Sequence, residues 1–361
     1  MTPFRTTLAL LLLVAAVLLV AGCGSCPQPL QNVTIIKLDS HGTLLWTKTL
    51  DQGISNGFAD LVPTPDGGFV VTSSISTTHA GCTLNHQGRL IRFSSSGEIL
   101  WDRVFNTGEG LPSKIIQMRD GGFATLFDKS KIYRLDSNGK TLWTSNLGSV
   151  SPYVRGPVIS ETGSGGLIVA GPIFVKLDPT GKILWQRSIN ERGKDVFFVN
   201  EIKNGQEYLV FSRSTGESNV LLVMKFDSEG IFINSSEFSM KENLFGWEMF
   251  SEPDNYRLLY YEEKLGPSLM QFNPDGTLIQ MQKINSSEHI TLTNDQGYFY
   301  AKKALNTIQT VKQNLNGTEN WNNTISNNYE NNLNIYRVLQ TNDYGYVIVS
   351  LSHIQKDIAS L

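Results

Sequence analysis

One two-part phrase recurs seven times along the chain and leaves little freedom for anything but a repeat fold. Its first part is Lys or Arg among apolar residues, then Asp, two variable residues, Gly and a segment that usually carries Trp. It reads IIKLDSHGTLLW ending at Trp46, LIRFSSSGEILW at Trp101, IYRLDSNGKTLW at Trp143 and FVKLDPTGKILW at Trp185, with looser copies at Asp227, Asn273 and Asn314. Asp or Asn at the first turn position bonds the backbone two residues on, and Gly takes the positive-φ position without steric cost. Each phrase therefore predicts a tight antiparallel hairpin. The second part is a glycine turn feeding an apolar run: PDGGFVVTSS at Asp66, RDGGFATL at Asp120, GSGGLIVAG at Gly165 and NDYGYVIVS at Asp343.

The turn glycines Gly42, Gly97, Gly139, Gly181, Gly230, Gly276 and Gly317 are 55, 42, 42, 49, 46 and 41 residues apart. That period, with four short strands per repeat, predicts propeller blades. The first full repeat reads as inner, second, third and outer strands at 58–63, 68–74, 89–94 and 98–105. The chain opens on a third and an outer strand (33–50) and closes on an inner and a second strand (336–351). Pairing the two half-blades removes exposed strand edges and locks the ring. The expectation is an all-β, seven-bladed β-propeller with four antiparallel strands per blade, closed by its N-terminal and C-terminal half-blades.

Three columns across the repeats set the register. On the inner strands Leu61, Ile115, Val158, Val199, Met249, Ile290 and Val338 are apolar, and two residues later stand Pro63, Gln117, Ser160, Glu201, Ser251, Leu292 and Gln340. That change predicts strand ends reaching a wet channel, with Gln117, Ser160, Glu201, Ser251 and Gln340 as channel candidates. On the third strands Lys37, Arg92, Arg134, Lys176, Lys225, Gln271 and Lys312 precede Asp39, Ser94, Asp136, Asp178, Asp227, Asn273 and Asn314 by two residues, which places each pair on one face. An anion-binding ring is one reading; one base per blade with an acid beside it favours structural pairing, the aliphatic stems covering apolar neighbours. Trp46, Trp101, Trp143, Trp185 and Trp321 share one repeat position, with Asn234 and Gln280 in the other two. Such repetition points to packing between blades rather than to a ligand box.

At the N-terminus Arg5 is followed by an uncharged apolar run over 8–21, then Gly22 and Cys23. The run is too short for a comfortable bilayer span and predicts a secretory signal over 1–22. Val20-Ala21-Gly22-Cys23 resembles the lipobox of prokaryotic lipoproteins, which implies cleavage before Cys23, lipidation of its thiol and a place on the extracytoplasmic face of the cell membrane, or on an outer membrane if the host has one. Ordinary export without lipid is the alternative. A tether over 23–32, a propeller over 33–353 and a tail over 354–361 follow. Removing 22 of 361 residues leaves 339, which seven blades of about 45 residues nearly fill, so one domain and a monomer are expected.

The net charge of −3, or −4 once Arg5 is lost, is spread along the chain and argues against nucleic acid or a polybasic membrane patch. Besides Cys23, Cys26 and Cys82 share a compartment that permits disulfides. A bond between them would tie the tail to the first long insertion; a free thiol is the alternative. His79, Cys82 and His86 make too weak a pattern for zinc, and no metal is expected. Sequons at Asn32, Asn234, Asn285, Asn316 and Asn322 are candidate glycosylation sites in a host that uses them.

The KLDSHGTLLW, RLDSNGKTLW and KLDPTGKILW phrases with the DGGF turns give the chain a resemblance to the pyrroloquinoline-quinone-like β-propeller repeat proteins found among exported prokaryotic lipoproteins. Quinoprotein alcohol dehydrogenases of that family carry an adjacent-cysteine disulfide over the quinone and an acidic calcium site. This chain has no Cys-Cys pair, and its predicted channel column holds the single carboxylate Glu201, so no cofactor is expected. The sequence also lacks an H-E-x-x-H helix and a phosphate loop. A further branch of the family is the lipid-anchored propeller that assists outer-membrane barrel assembly. The leading expectation is a lipid-anchored, non-enzymatic binding or scaffolding module for a protein or glycan, using loops that depart from the repeat: 76–88, 239–247 with Phe245 and Trp247, and the Asn-rich 306–334. A surface hydrolase or lyase using the channel, and an envelope assembly factor, are the alternatives.

Overall fold

A computed structural model of the chain describes residues 30–354 apart from 51–54, 80–82, 107–109, 128–130, 149–156, 190–194, 215–218, 242–243, 252–254, 263, 285–288, 305–306 and 327–332. Its strands, numbered β1 to β28 in chain order, form seven four-stranded antiparallel sheets. Blade 1 is β3 (Ser55–Pro63), β4 (Phe69–His79), β5 (Thr83–Phe93) and β6 (Ile99–Val104). Blades 2 to 6 open on the inner strands β7 (Pro112–Gln117), β11 (Val158–Glu161), β15 (Asp195–Ile202), β19 (Leu244–Ser251) and β23 (Ile290–Leu292). Blade 7 joins the two ends of the chain in the order β2 (Leu44–Leu50), β1 (Leu30–Leu38), β28 (Tyr346–Ile354), β27 (Leu333–Gln340). The half-blades pair from Leu30↔Ile354 to Leu38↔Tyr346. Pairing thus begins inside the segment read as tether, because Leu30, Gln31 and Asn32 extend the ladder.

Sheet faces explain the sequence patterns. Middle strands lie between neighbouring blades and are buried on both faces, so β8 (Phe123–Phe127, FATLF) is buried throughout, whereas outer β10 (Thr141–Asn146) alternates with the pleat. In β1, Val33 and Ile35 pack with Phe69, Val71 and Phe93 of blade 1, while Ile36 and Leu38 pack with Phe299 and Ile308 of blade 6. Period two therefore serves both junctions of one blade.

The tryptophan column links each blade to the next. Trp46, Trp101, Trp143 and Trp185 donate Nε1–H to the carbonyls of Ser95, Ser137, Pro179 and Ser228 at 3.0, 3.0, 2.9 and 3.0 Å, each in the following blade's third-to-outer turn. The indole seats on that turn's glycine: at Gly230, with φ +73°, an added Cβ would meet Trp185 at 2.6 Å. Trp321 covers Gly42 in the same way and carries the belt across the ring closure. Asn234 and Gln280 interrupt the belt; Gln282 replaces the second missing bond by donating to the Leu315 carbonyl at 2.8 Å.

The basic column pairs with a different acid from the one two residues on. Asp39 closes its own turn by accepting the N–H groups of His41 and Thr43 at 2.9 and 2.8 Å. Lys37 instead bonds Asp343 at 2.8 Å, Arg92 bonds Asp66 at 2.9 Å, Lys312 bonds Asp295 at 2.8 Å, and Arg134 bonds Asp120. These acids stand in the inner-to-second turn of the same blade, which the third strand passes beneath. Lys176, whose turn holds Gly and Ser, lies 5.4 Å over the Tyr208 ring of the next blade. Burial works to raise the carboxyls of Asp66, Asp120, Asp295 and Asp343, but bonds from turn N–H groups, Thr64, Thr293 or Thr341 and the basic partner leave all four below the ordinary aspartate value. A carboxyl depressed in the fold stabilises above its unfolded pKa, near 4, and loses that contribution as pH falls through the folded value. Thermal melting should therefore drop between about pH 5 and pH 2, and less steeply in the Asp66→Asn/Asp120→Asn variant; an equal drop in both proteins would contradict the pairing.

Two of the departing loops prove to be mostly strand. The ladder of β4 and β5 continues through Ser76↔His86 to His79↔Thr83, so 76–88 is an elongated hairpin whose Ser/Thr-rich sequence favours pairing. Within 306–334, β25 (Thr307–Gln313) and β26 (Glu319–Ser326) are regular. Between Ser239 and Trp247 the chain passes from the end of β18 (Phe232–Ser239) into β19. Cys23, Cys26, Cys82 and Asn285 lie outside the described residues. Asn234, Asn316 and Asn322 are exposed, while Asn32 is half-buried in β1.

Candidate functional site

Antiparallel strands alternate in direction, so the inner-to-second and third-to-outer turns share one face of the ring. Leu30 and Ile354 lie together at the opposite face. A cavity of about 960 Å³ opens on the turn face among Arg119, Gly163 and Lys203–Gly205, the inner-to-second turns of blades 2, 3 and 4, and reaches Pro274 in the third-to-outer turn of blade 5. Blade 4 carries Asn234 where Trp would cover the turn of blade 5, and Gly276 there meets Leu209 and Val223 instead of an indole. The turn of blade 4 is itself unlike the others, with Lys203, Asn204 and Gly205 all at positive φ (52°, 55° and 86°).

Of the channel candidates, Gln117, Ser160, Glu201 and Ser251 line this cavity and Gln340 does not. Gln340 Oε1 accepts the Asn294 N–H at 2.8 Å from the turn of blade 6. Glu161 does the same for Arg119 N–H at 2.8 Å, and Glu201 for Gly163 N–H. The last position of the inner strand is thus a clamp onto the preceding blade. At the junction of blades 1 and 2, Pro65 stands where the N–H donor would be, and Gln117 makes no side-chain hydrogen bond among the described residues. In blade 3 the sequence column is one residue early: Glu161 pairs with Leu167 as Glu201 pairs with Tyr208, so Ile159 and Glu161, not Val158 and Ser160, are the register equivalents.

Deeper in the channel lies a belt that the sequence columns passed over. Three residues before the clamp position stand Asp60, Lys114, Val158, Phe198, Glu248, His289 and Arg337. Arg337 donates to Glu248 Oε1 at 2.9 Å and stands 4.0 Å from Asp60, which lies 3.7 Å from Lys114 and accepts the Ile115 N–H at 3.3 Å. The pair joins blades 7 and 5 past blade 6, whose inner strand has only 3 residues. Burial pushes the Glu248 carboxyl above the ordinary range, with Arg337 and Lys114 opposing. The signal was present as ionisable residues of both signs at one repeat position inside apolar strands; pattern reading that sought apolar residues missed it.

Beside the belt, Phe197 and Phe198 line one wall, and a polar chain crosses three blades: Ser160 Oγ donates to Asn200 Oδ1 at 3.3 Å, and Asn200 Nδ2 donates to the Tyr256 hydroxyl at 3.0 Å. A calcium-bound quinone does not fit here. The carboxylates Asp60, Glu161 and Glu201 are spread over three blades, each already held by a cation or a backbone N–H, and no cluster of three potential metal ligands occurs among the described residues.

The family model described as outer membrane protein assembly factor BamB matches residues 30–148. None of the curated proteins matches the chain. Among solved structures, the Pan2 WD40 domain of Neurospora crassa is similar at TM-score 0.51 and 11% identity, over 83% of this chain and 90% of that one. A candidate 6-phosphogluconolactonase of Bacteroides uniformis is similar at TM-score 0.49 and 14% identity, over 82% of this chain and 97% of that one. The likeness to Pan2 shows the propeller fold alone.

Proposed function

Given that the chain is a β-propeller of pyrroloquinoline-quinone-like repeats, we propose that it is a lipid-anchored, extracytoplasmic scaffold, held to its membrane at Cys23 and binding its partner on the face turned away. The observation that carries this reading is the placement of β1: Leu30 follows Cys23 by only seven residues and starts at the ring face opposite the cavity mouth. Seven residues span at most about 25 Å, so lipid at Cys23 would hold that face against the bilayer. The envelope-assembly role named in the matching family model's description is the second reading, supported by the match over residues 30–148.

In native membranes the expected mass is that of a chain beginning at Cys23 with a diacylglyceryl group on its thiol. Cys23→Ser should move the protein from the membrane to the soluble fraction. A membrane-bound Cys23→Ser protein, or an unmodified Cys23, would overturn the anchor. Co-purification with outer-membrane barrel machinery would support the second reading.

A further inference from the structure

We propose that the off-centre cavity is a binding site for a neutral oligosaccharide, running from the channel mouth to Pro274 in the third-to-outer turn of blade 5. This inference rests on the binding-scaffold reading, not on the lipid anchor.

The charges around the cavity are already matched. Arg119 is paired with Glu161 at 3.3 Å, Lys203 with Glu207 at 2.6 Å, Arg337 with Glu248 at 2.9 Å and Lys114 with Asp60 at 3.7 Å, while Glu201 takes the Gly163 N–H. A charged ligand would have to compete with these pairs, at greatest cost for Arg337 and Glu248, which are 29% and 18% exposed, and at small cost for the exposed Arg119, Lys203 and Lys114. What remains for a ligand is neutral. Gln117, Asn204 and Ser251 make no side-chain hydrogen bond among the described residues. The Tyr256 hydroxyl, which accepts from Asn200, keeps its own proton to donate. Phe197 and Phe198 supply apolar wall. Donors and acceptors without net charge beside aromatic side chains match the alternating hydroxyls and C–H faces of a sugar, and a few convergent polar groups on an apolar wall are the ordinary make-up of a small-ligand site.

The place in the ring supports a site rather than a packing flaw. Trp covers the blade-to-blade turn at five junctions, and the cavity reaches Pro274 in the turn of one of the two that lack it. Three consecutive residues of one rim turn, two of them non-glycine, hold left-handed conformations, the kind of local strain that gathers where a ligand is held. The mouth lies on the regular turn face, opposite both ends of the described chain.

The test is isothermal titration of the full mature chain with maltohexaose, cellohexaose, xylohexaose and chitohexaose, followed by product analysis of each mixture. At least one should bind and stay intact. Gln117→Ala should weaken that binding about tenfold, and Ser251→Trp, which fills the cavity from an exposed position, should weaken it more than a hundredfold, with melting temperatures unchanged. Binding that survives Ser251→Trp would overturn the site. Cleavage of a bound hexasaccharide would overturn the scaffold reading and favour a hydrolase or lyase. No binding to any of the four, together with protein-only capture by a photo-crosslinker at position 251, would overturn the sugar assignment while leaving the scaffold standing.

Discussion

Trp185→Ala is expected to destabilise the protein by about 3–5 kcal/mol, the range for removing a large buried aromatic side chain. Trp185 is 7% exposed, stands edge-on to Phe174 and Tyr208 at 5.1 and 5.8 Å, and hydrogen-bonds the Ser228 carbonyl of the next blade. Truncation loses the apolar transfer energy, leaves a void against Gly230 and strips that carbonyl of its donor. Asn234→Ala, at the same repeat position in blade 4, should change stability by less than about 0.5 kcal/mol because Asn234 is exposed. Urea unfolding of both variants makes the comparison. Equal small losses would mean that the tryptophan belt does not hold the blades together.

Asp343→Ala is expected to cost about 3 kcal/mol. Lys37 is 0% exposed and reaches Asp343 at 2.8 Å and Thr341 at 2.6 Å, so removing the carboxylate strands a buried ammonium; the 35% exposure of Asp343 keeps the cost at the lower end. Because Lys37 is in the N-terminal half of blade 7 and Asp343 in the C-terminal half, the loss should fall on ring closure. Hydrogen exchange should show β1 and β28 losing protection ahead of blades 2 to 4. Lys37→Met/Asp343→Ala should regain most of the loss, since it removes the unpaired charge along with the pair. Uniform loss of protection around the ring would contradict a closure role.

The architecture was legible in the sequence because each blade writes the same local chemistry. Asp39 and its equivalents state a turn, Gly42 its positive φ, and the apolar runs their double-sided burial. The half-repeats at the two ends state the closure. Register was legible only where spacing was uniform. Blade 3 has no aspartate in its ETGSGG turn to fix the count, and its column slipped by one residue. The pairing of Lys37 with Asp343 was hidden because 306 residues separate the partners, and only the closed ring brings them together. The candidate site was half visible. Gln117, Ser160, Glu201 and Ser251 came from the inner-strand pattern, but Asp60, Lys114, Glu248 and Arg337 meet across blades whose relative positions no local spacing encodes. Asn234 interrupts the packing column, and only the fold shows that Leu209 and Val223 take the indole's place against Gly276.

The most direct test of an anchored scaffold with its cavity facing outward is energy transfer from a dye on the protein to an acceptor in the lipid headgroups. The protein would keep Cys23 lipidated, with Cys26 and Cys82 replaced by Ser, and carry the dye at Ser188→Cys or Asn138→Cys. Both positions are exposed; Ser188 ends an outer strand on the face of the chain ends, and Asn138 sits in a turn on the cavity face. Strong transfer from position 188 and weak transfer from position 138 is the predicted result. Equal transfer from both, or stronger transfer from 138, would contradict it.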